Sequence, residues 1–264
     1  MRPTEFDQAA FIERFGPSLN AIATLVQDVE LLGVRGWKSH LDRVRPDGPI
    51  SPDWQTDVGN RHQLRTKLLE VLDGSRSYSE TCTRITRTWG GIKQSLPPCL
   101  EVPIRRTLGE LRERPERIPE RGCGERIASV SRLYACLDPG RWVVLDSRVS
   151  SGLAALLWLA DHHGGWTEHV GIVETRHLAR QRPVPGFRRL WPSSRAEAFR
   201  TFMMTSWACQ SLAGLISCRE SEPGGDPDSP WQACHVELVL ARIGSGPMPL
   251  GVSGAVPDFS SETG

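Results

Sequence analysis

A chain of 264 residues, 39% hydrophobic and 24% charged, has the composition of a globular protein able to bury a core, which excludes collagen-like, coiled-coil and wholly disordered chains. The formal net charge of +1 gives no global field, so any polyanion site must come from local clustering. The longest apolar stretch, around Leu153 to Ala160, falls far short of the ~20 residues of a bilayer span.

Met1 to Glu5 lead into no apolar signal core, so the expectation is a cytoplasmic protein with no membrane partner. Cys82, Cys99, Cys123, Cys136, Cys209, Cys218 and Cys234 form no Cys-x-x-Cys pair. An odd, scattered set fits free thiols in a reducing compartment, with no metal site, no iron–sulfur cluster and no cofactor. Lys38, Lys67 and Lys93 are the only lysines, so nearly all basic charge is arginine.

Helical spacing dominates and no hairpin signal joins alternating apolar runs, so the expected fold class is all-α. Ile22, Leu25, Val26, Val29 and Leu32 mark a first helix after Pro17, ending at Gly33. Leu64, Leu68, Val71 and Leu72 mark a second, closed by Asp73-Gly74, and Ser79 can cap a third that runs to Trp89 before Gly90-Gly91. Pro97-Pro98 breaks the chain. Residues 103–126 read as a charge-laced surface helix followed by a turn.

Glu125 to Leu137 reads as a helix stopped by Asp138-Pro139-Gly140. A further helix starts at Asp146, its own N-cap, with Val149, Leu153, Leu156, Leu157 and Ala160 as the apolar stripe. Residues 176–195 form a polar, arginine-rich connection. Ser194 and Glu197 then make a capping box for a long helix ending near Arg219, and Pro230 opens a last helix as its first residue. Residues 1–245 are expected as one domain, with 246–264 as a disordered tail.

The informative stretch runs from Arg126 to Val149: an Ala-Ser-Val-Ser-Arg helix (128–132), an Asp-Pro-Gly turn (138–140), and Leu-Asp-Ser-Arg-Val (145–149) at the next helix start. It resembles the helix-hairpin-helix DNA glycosylase superfamily, and in detail the bacterial proteins with the 8-oxoguanine DNA glycosylase fold. Those carry Ala-Ser-x-Ser-Lys, Asp-Pro and Tyr-Asp-Ser-Arg-Val at the corresponding places. Trp89-Gly90-Gly91, and Trp231 with His235-Val236-Glu237-Leu238, agree with the resemblance. It implies a helix-hairpin-helix core over residues 124–162.

The chemistry follows from the residue types. An outward hairpin with free amides near Gly140 can hold a DNA phosphate, helped by Arg141 and Arg148. A base must be flipped out of the stack before it can be excised. A carboxylate beside the pocket, Asp146, would stabilise the cationic sugar, while Trp89, Trp142 and Trp231 are candidates to stack on the base. The resemblance places Cys136 at the small residue lining the base pocket.

Arg132 stands where the bifunctional enzymes of that family have the lysine that forms a Schiff base. A guanidinium stays protonated and cannot serve as that nucleophile. The resemblance therefore implies either a monofunctional glycosylase, in which Asp146 assists water, or a catalytically inactive DNA-binding or interaction module in a bacterial repair or defence system. The expected partner is DNA, single- or double-stranded, and the protein is expected as a monomer.

Other classes fail on their motifs: phosphate-loop, dinucleotide and zincin signatures are missing. Asp161, His162, His163 and His169 imitate a metal cluster only superficially, because adjacent helical residues point to different faces.

Overall fold

A computed structural model describes residues 7–27, 57–74, 77–160, 172–173, 189–190, 194–220 and 230–244. The described residues are mostly helical, as the periodicity predicts. In chain order they form α1 (Gln8–Gln27), α2 (Asp57–Leu72), α3 (Tyr78–Thr83) and a π-helical segment (Arg84–Trp89). A 3-10 turn (Pro98–Leu100), α4 (Glu101–Glu113), α5 (Ile127–Leu137), α6 (Ser147–Leu159), α7 (Arg195–Glu220) and α8 (Ala233–Ile243) follow. Two short strands, β1 (Ile172–Val173) and β2 (Arg189–Leu190), pair in parallel, with Ile172 opposite Arg189. The expected tail, the histidine cluster at 161–169 and the end of the first helix near Gly33 lie outside the described residues.

Three helix starts differ from expectation. α1 begins nine residues before Pro17 and contains it. Asp7 caps it, Oδ1 accepting from the Ala10 amide at 3.0 Å, and Phe11, Phe15, Leu19 and Ile22 are buried along its length. That continuous apolar face outweighs the single backbone donor lost at Pro17. Ser77, not Ser79, caps α3 through the Glu80 amide. α8 starts at Ala233 rather than at Pro230, because the side chain of His235 turns back, its Nδ1 accepting from the Gln232 amide at 3.0 Å. Gln232 thereby takes the cap position, with its carbonyl receiving the amides of His235 and Val236.

α7 is buried on more than one side, as expected of a helix at the centre of a core. Phe199, Phe202, Met203, Met204, Trp207, Cys209, Leu212 and Ile216 are all inaccessible or nearly so. α1 packs on it, with the Phe11 and Trp207 rings 5.8 Å apart. α5 reaches it through Tyr134, whose ring meets Phe199 edge-on at 5.9 Å and Phe202 at 5.1 Å. No helix among the described residues is long and apolar enough to cross a membrane.

α6 and α8 approach to backbone contact. A Cβ on Gly152 would lie 2.0 Å from the Leu240 carbonyl oxygen, and one on Gly244 would lie 1.9 Å from that of Arg148. Glycine is required at both crossings by space rather than by backbone conformation. α5 packs instead on α2 and on the π-helical segment. The two helices that flank the Asp-Pro-Gly turn thus find their main partners in different parts of the molecule, and polar bonds tie them together.

Candidate functional site

The connection between α5 and α6, residues 138–146, contains no strand. Asp138 organises its first half. Its carbonyl accepts the amides of Arg141 (3.0 Å) and Trp142 (2.8 Å), and its Oδ1 accepts the Gly140 amide at 3.1 Å, a side-chain turn common to Asp. The carbonyls of Pro139 and Gly140 receive the first amides of α8, from Cys234 and Ala233. The hairpin is therefore closed against α8, and the Gly140 amide is not free for a phosphate. Arg141 is exposed, but its Nε lies 3.5 Å from Asp138 Oδ2, so the tip of the turn carries a paired charge.

The second half is buried through Val143, Val144 and Leu145. Its amides are taken by side chains from two helices: Leu145 donates to Ser131 Oγ at 3.0 Å, and Val144 to Glu237 Oε2 at 2.7 Å. These two bonds satisfy buried amides of irregular backbone and fix where Asp146 emerges.

Asp146 caps α6 as the sequence predicts. Its Oδ1 accepts the amides of Arg148 (2.9 Å) and Val149 (3.1 Å). Its Oδ2 accepts from Arg148 Nη2 at 2.7 Å and Nε at 3.1 Å, and lies 3.9 Å from Arg132 Nη2. The carboxylate side chain is 11% exposed and Arg148 53%, so the pair meets solvent mainly through Arg148.

Arg132 is buried. Burial pushes its guanidinium down from the usual arginine range, while the Asp146 carboxylate works the other way. Its Nε donates to the Gly90 carbonyl at 3.1 Å, and its Nη1 to Ala128 O. The side chain crosses directly over Gly90, where a Cβ would lie 2.2 Å from Arg132 Cδ. Trp89-Gly90 and the Ser-Arg pair of α5, distant in sequence, are thus one structural unit.

Two charged residues that the sequence reading did not place as site residues lie beneath. Arg61 and Glu237 form a two-pronged ion pair at 2.6 and 2.7 Å, and the Arg61 guanidinium sits over the Trp89 ring at 5.2 Å. Glu237 thereby holds the approach to Asp146 through Val144, and Arg61 braces the ring of Trp89, the residue before Gly90. The signal for Glu237 was legible as a lone carboxylate among Val236, Leu238, Val239 and Leu240. Arg61 lies in a polar stretch and gives none. Arg65, one turn on, donates to the last carbonyl of α5, at Leu137, at 3.1 Å.

No family model, curated protein or solved structure matches the chain. Its site therefore rests on its own geometry.

Of the aromatic candidates, Trp142 is a core residue, 5.9 Å from Phe202 and 1% exposed. Trp231 is buried against His235, with its amide on Ser217 Oγ at 2.8 Å. Trp89 is buried under Arg61. None of the three presents an open ring face to solvent for a base to stack on. Cys136 is inaccessible within α5. Among the described residues no three His, Cys, Asp or Glu side chains gather as a metal site requires. A cavity of about 500 Å³ lined by Leu72, Arg105, Gly109, Arg112 and Glu113 shares no residue with the Asp146 cluster.

Proposed function

We propose that this chain is a DNA glycosylase-like protein of the helix-hairpin-helix class that binds or acts on a damaged or modified base, and that any base release is monofunctional. The observation that carries this reading is the meeting of Arg132 and Asp146 at 3.9 Å. These are the two positions at which the motif resemblance pairs an amine nucleophile with a carboxylate. The carboxylate is retained and the amine is replaced by a group that cannot form a Schiff base.

Asp146 would act electrostatically. As the glycosidic bond breaks, positive charge develops on the sugar, and a fixed, buried carboxylate stabilises it. Arg148 neutralises that carboxylate in the free protein. Transfer of Arg148 to a DNA phosphate would uncover Oδ2 as the substrate docks, so that the carboxylate becomes available only on DNA.

A second reading, a catalytically inactive DNA-binding module, is favoured by one feature: both Asp146 oxygens are already occupied by the amides of α6 and by Arg148. Lesion-bearing oligonucleotides scored separately for base release and strand cleavage decide between the two. Base release without strand cleavage, lost in Asp146→Asn, supports the enzyme. DNA binding with no release on any lesion supports the inactive module, and failure to bind DNA at low salt overturns both.

A further inference from the structure

The hairpin tip carries no free cation, but a neighbouring face does. Between Thr81 and Leu100 the sequence holds Arg84, Arg87 and Lys93 and not one Asp or Glu, and all three side chains are exposed. The segment is folded back on itself. The π-helical turn closes through Gly90 N to Ile85 O at 2.9 Å, and the chain then reverses at Gly91, φ 65°, so that the Ile92 amide reaches Thr86 O at 2.9 Å. Arg126 binds the end of this segment. It is the only non-glycine residue at positive φ among those described, at 51°, and its Nη1 donates to the Ser95 carbonyl at 3.3 Å. Left-handed backbone at an L-residue is unfavourable and tends to persist where the surroundings fix it.

The carboxylates nearest in sequence lie outside the run. Glu80 precedes it on α3, while Glu101 pairs with Arg105 at 3.0 Å and Glu125 with Arg195 at 3.0 Å. Three exposed cations thus lie on one acid-free segment that Arg126 meets at Ser95 and that touches Arg132 at Gly90.

We propose that Arg84, Arg87, Lys93 and Arg126 form a track for the sugar-phosphate backbone of DNA that leads to the Arg132 and Asp146 site. This deepens the glycosylase-like reading and rests on it, moving the main phosphate contacts from the 138–141 turn to the 84–95 segment. Cations spaced along one irregular, acid-free segment suit a flexible polyanion. Contacts of this kind position DNA without reading sequence.

The test uses the full chain and an undamaged 20-base-pair duplex, with affinity measured by fluorescence anisotropy over a potassium chloride series. Each phosphate contact contributes about 0.9 to the slope of log affinity against log salt. The variant Arg84→Gln/Arg87→Gln/Lys93→Gln should lower the slope by about two to three units and weaken binding at least tenfold at low salt. Arg126→Asn, which tolerates the left-handed backbone, should lower it by about one. Arg141→Gln should change little. All the substituted side chains are exposed, and unchanged thermal melting confirms that the fold is kept. If the wild-type protein binds and the triple variant keeps its slope while Arg141→Gln or Arg148→Gln loses affinity, the track is wrong and the glycosylase-like reading stands. If the wild-type protein binds no DNA at low salt, both are overturned.

Discussion

Arg61 and Glu237 meet through two short bonds, Nη1 to Oε2 at 2.6 Å and Nη2 to Oε1 at 2.7 Å, with both side chains almost wholly removed from solvent. A charge so placed is tolerated only while its partner is present. Glu237→Gln would leave the guanidinium buried without its counter-charge, and we expect a loss of about 3–5 kcal/mol in urea unfolding. Adding Arg61→Met to that variant should recover part of the loss, because the uncompensated charge goes while the introduced amide oxygen can still accept from Val144. A double variant less stable than Glu237→Gln would show that the pair does not act as a unit.

Asp146 combines two roles that substitutions can separate. Asp146→Asn keeps an oxygen for the amides of Arg148 and Val149, whereas Asp146→Ala removes the cap at a cost of about 1–2 kcal/mol. Both variants lose the counter-charge of buried Arg132, and stability should therefore fall further in the alanine variant, which loses the cap as well. Base release, under the proposed function, should be lost in both. Activity that follows stability, surviving in the asparagine variant, would reduce Asp146 to a helix cap.

Gly90 is held to glycine by its neighbours. In Gly90→Ala the new methyl would meet Arg132 Cδ at 2.2 Å and the Thr86 carbonyl at 2.8 Å, so the guanidinium must leave its place over the backbone. Melting temperature should drop by several degrees. Adding Arg132→Ala should restore some of it, since the side-chain clash disappears and only the Thr86 contact remains. No restoration would place the strain on Thr86 alone.

The thiols report which candidate pocket residues are open. Cys99 and Cys218 are exposed and the other five are buried. Burial pushes Cys82 up to about 12 and raises Cys123 and Cys209 as well, so these remain protonated and unreactive at neutral pH. At pH 8 a thiol reagent should modify two residues quickly and the rest, Cys136 included, only on unfolding. The Cys82 thiol should gain reactivity only as pH approaches 12. Fast labelling of Cys136 in the folded protein would show that it lines an accessible pocket.

Arg132→Lys tests the missing amine directly. Burial beside Asp146 would lower a lysine's pKa while the carboxylate opposes that shift. A borohydride-trapped adduct with abasic DNA in this variant, and none in the wild-type protein, is the expected outcome. A wild-type adduct would identify another amine as nucleophile.

How much of this was legible in the sequence depends on the kind of signal. α2, α5, α6 and α7 carry their apolar positions at helical spacing and end in residues with cap chemistry, and these helices were readable from pattern alone. Asp146 as N-cap was equally readable, because the cap is a local interaction. The start of α1 is hidden in the sequence because Pro17 argues locally for a break, while the burial of Phe11 that overrides it comes from α7. Gly140 looks like a free donor in the sequence because nothing nearby shows that Asp138 folds onto it and that α8 closes the turn. The Arg61 and Glu237 pair joins positions 176 residues apart, and long-range polar pairs leave no periodic trace.

The π-helical turn at Arg84–Trp89 sets a phase. It accommodates one residue more than α-helical winding would over the same span, and that extra step fixes the direction in which Trp89 leaves the helix. Were the same six residues wound as ordinary α-helix with none removed, Trp89 would turn by roughly 100° about the axis. Its ring would swing away from Arg61, and the Gly90 carbonyl away from Arg132. The alignment of the basic face with the buried carboxylate is thus a matter of angular register, set by how this one turn is wound even where every charged residue is kept.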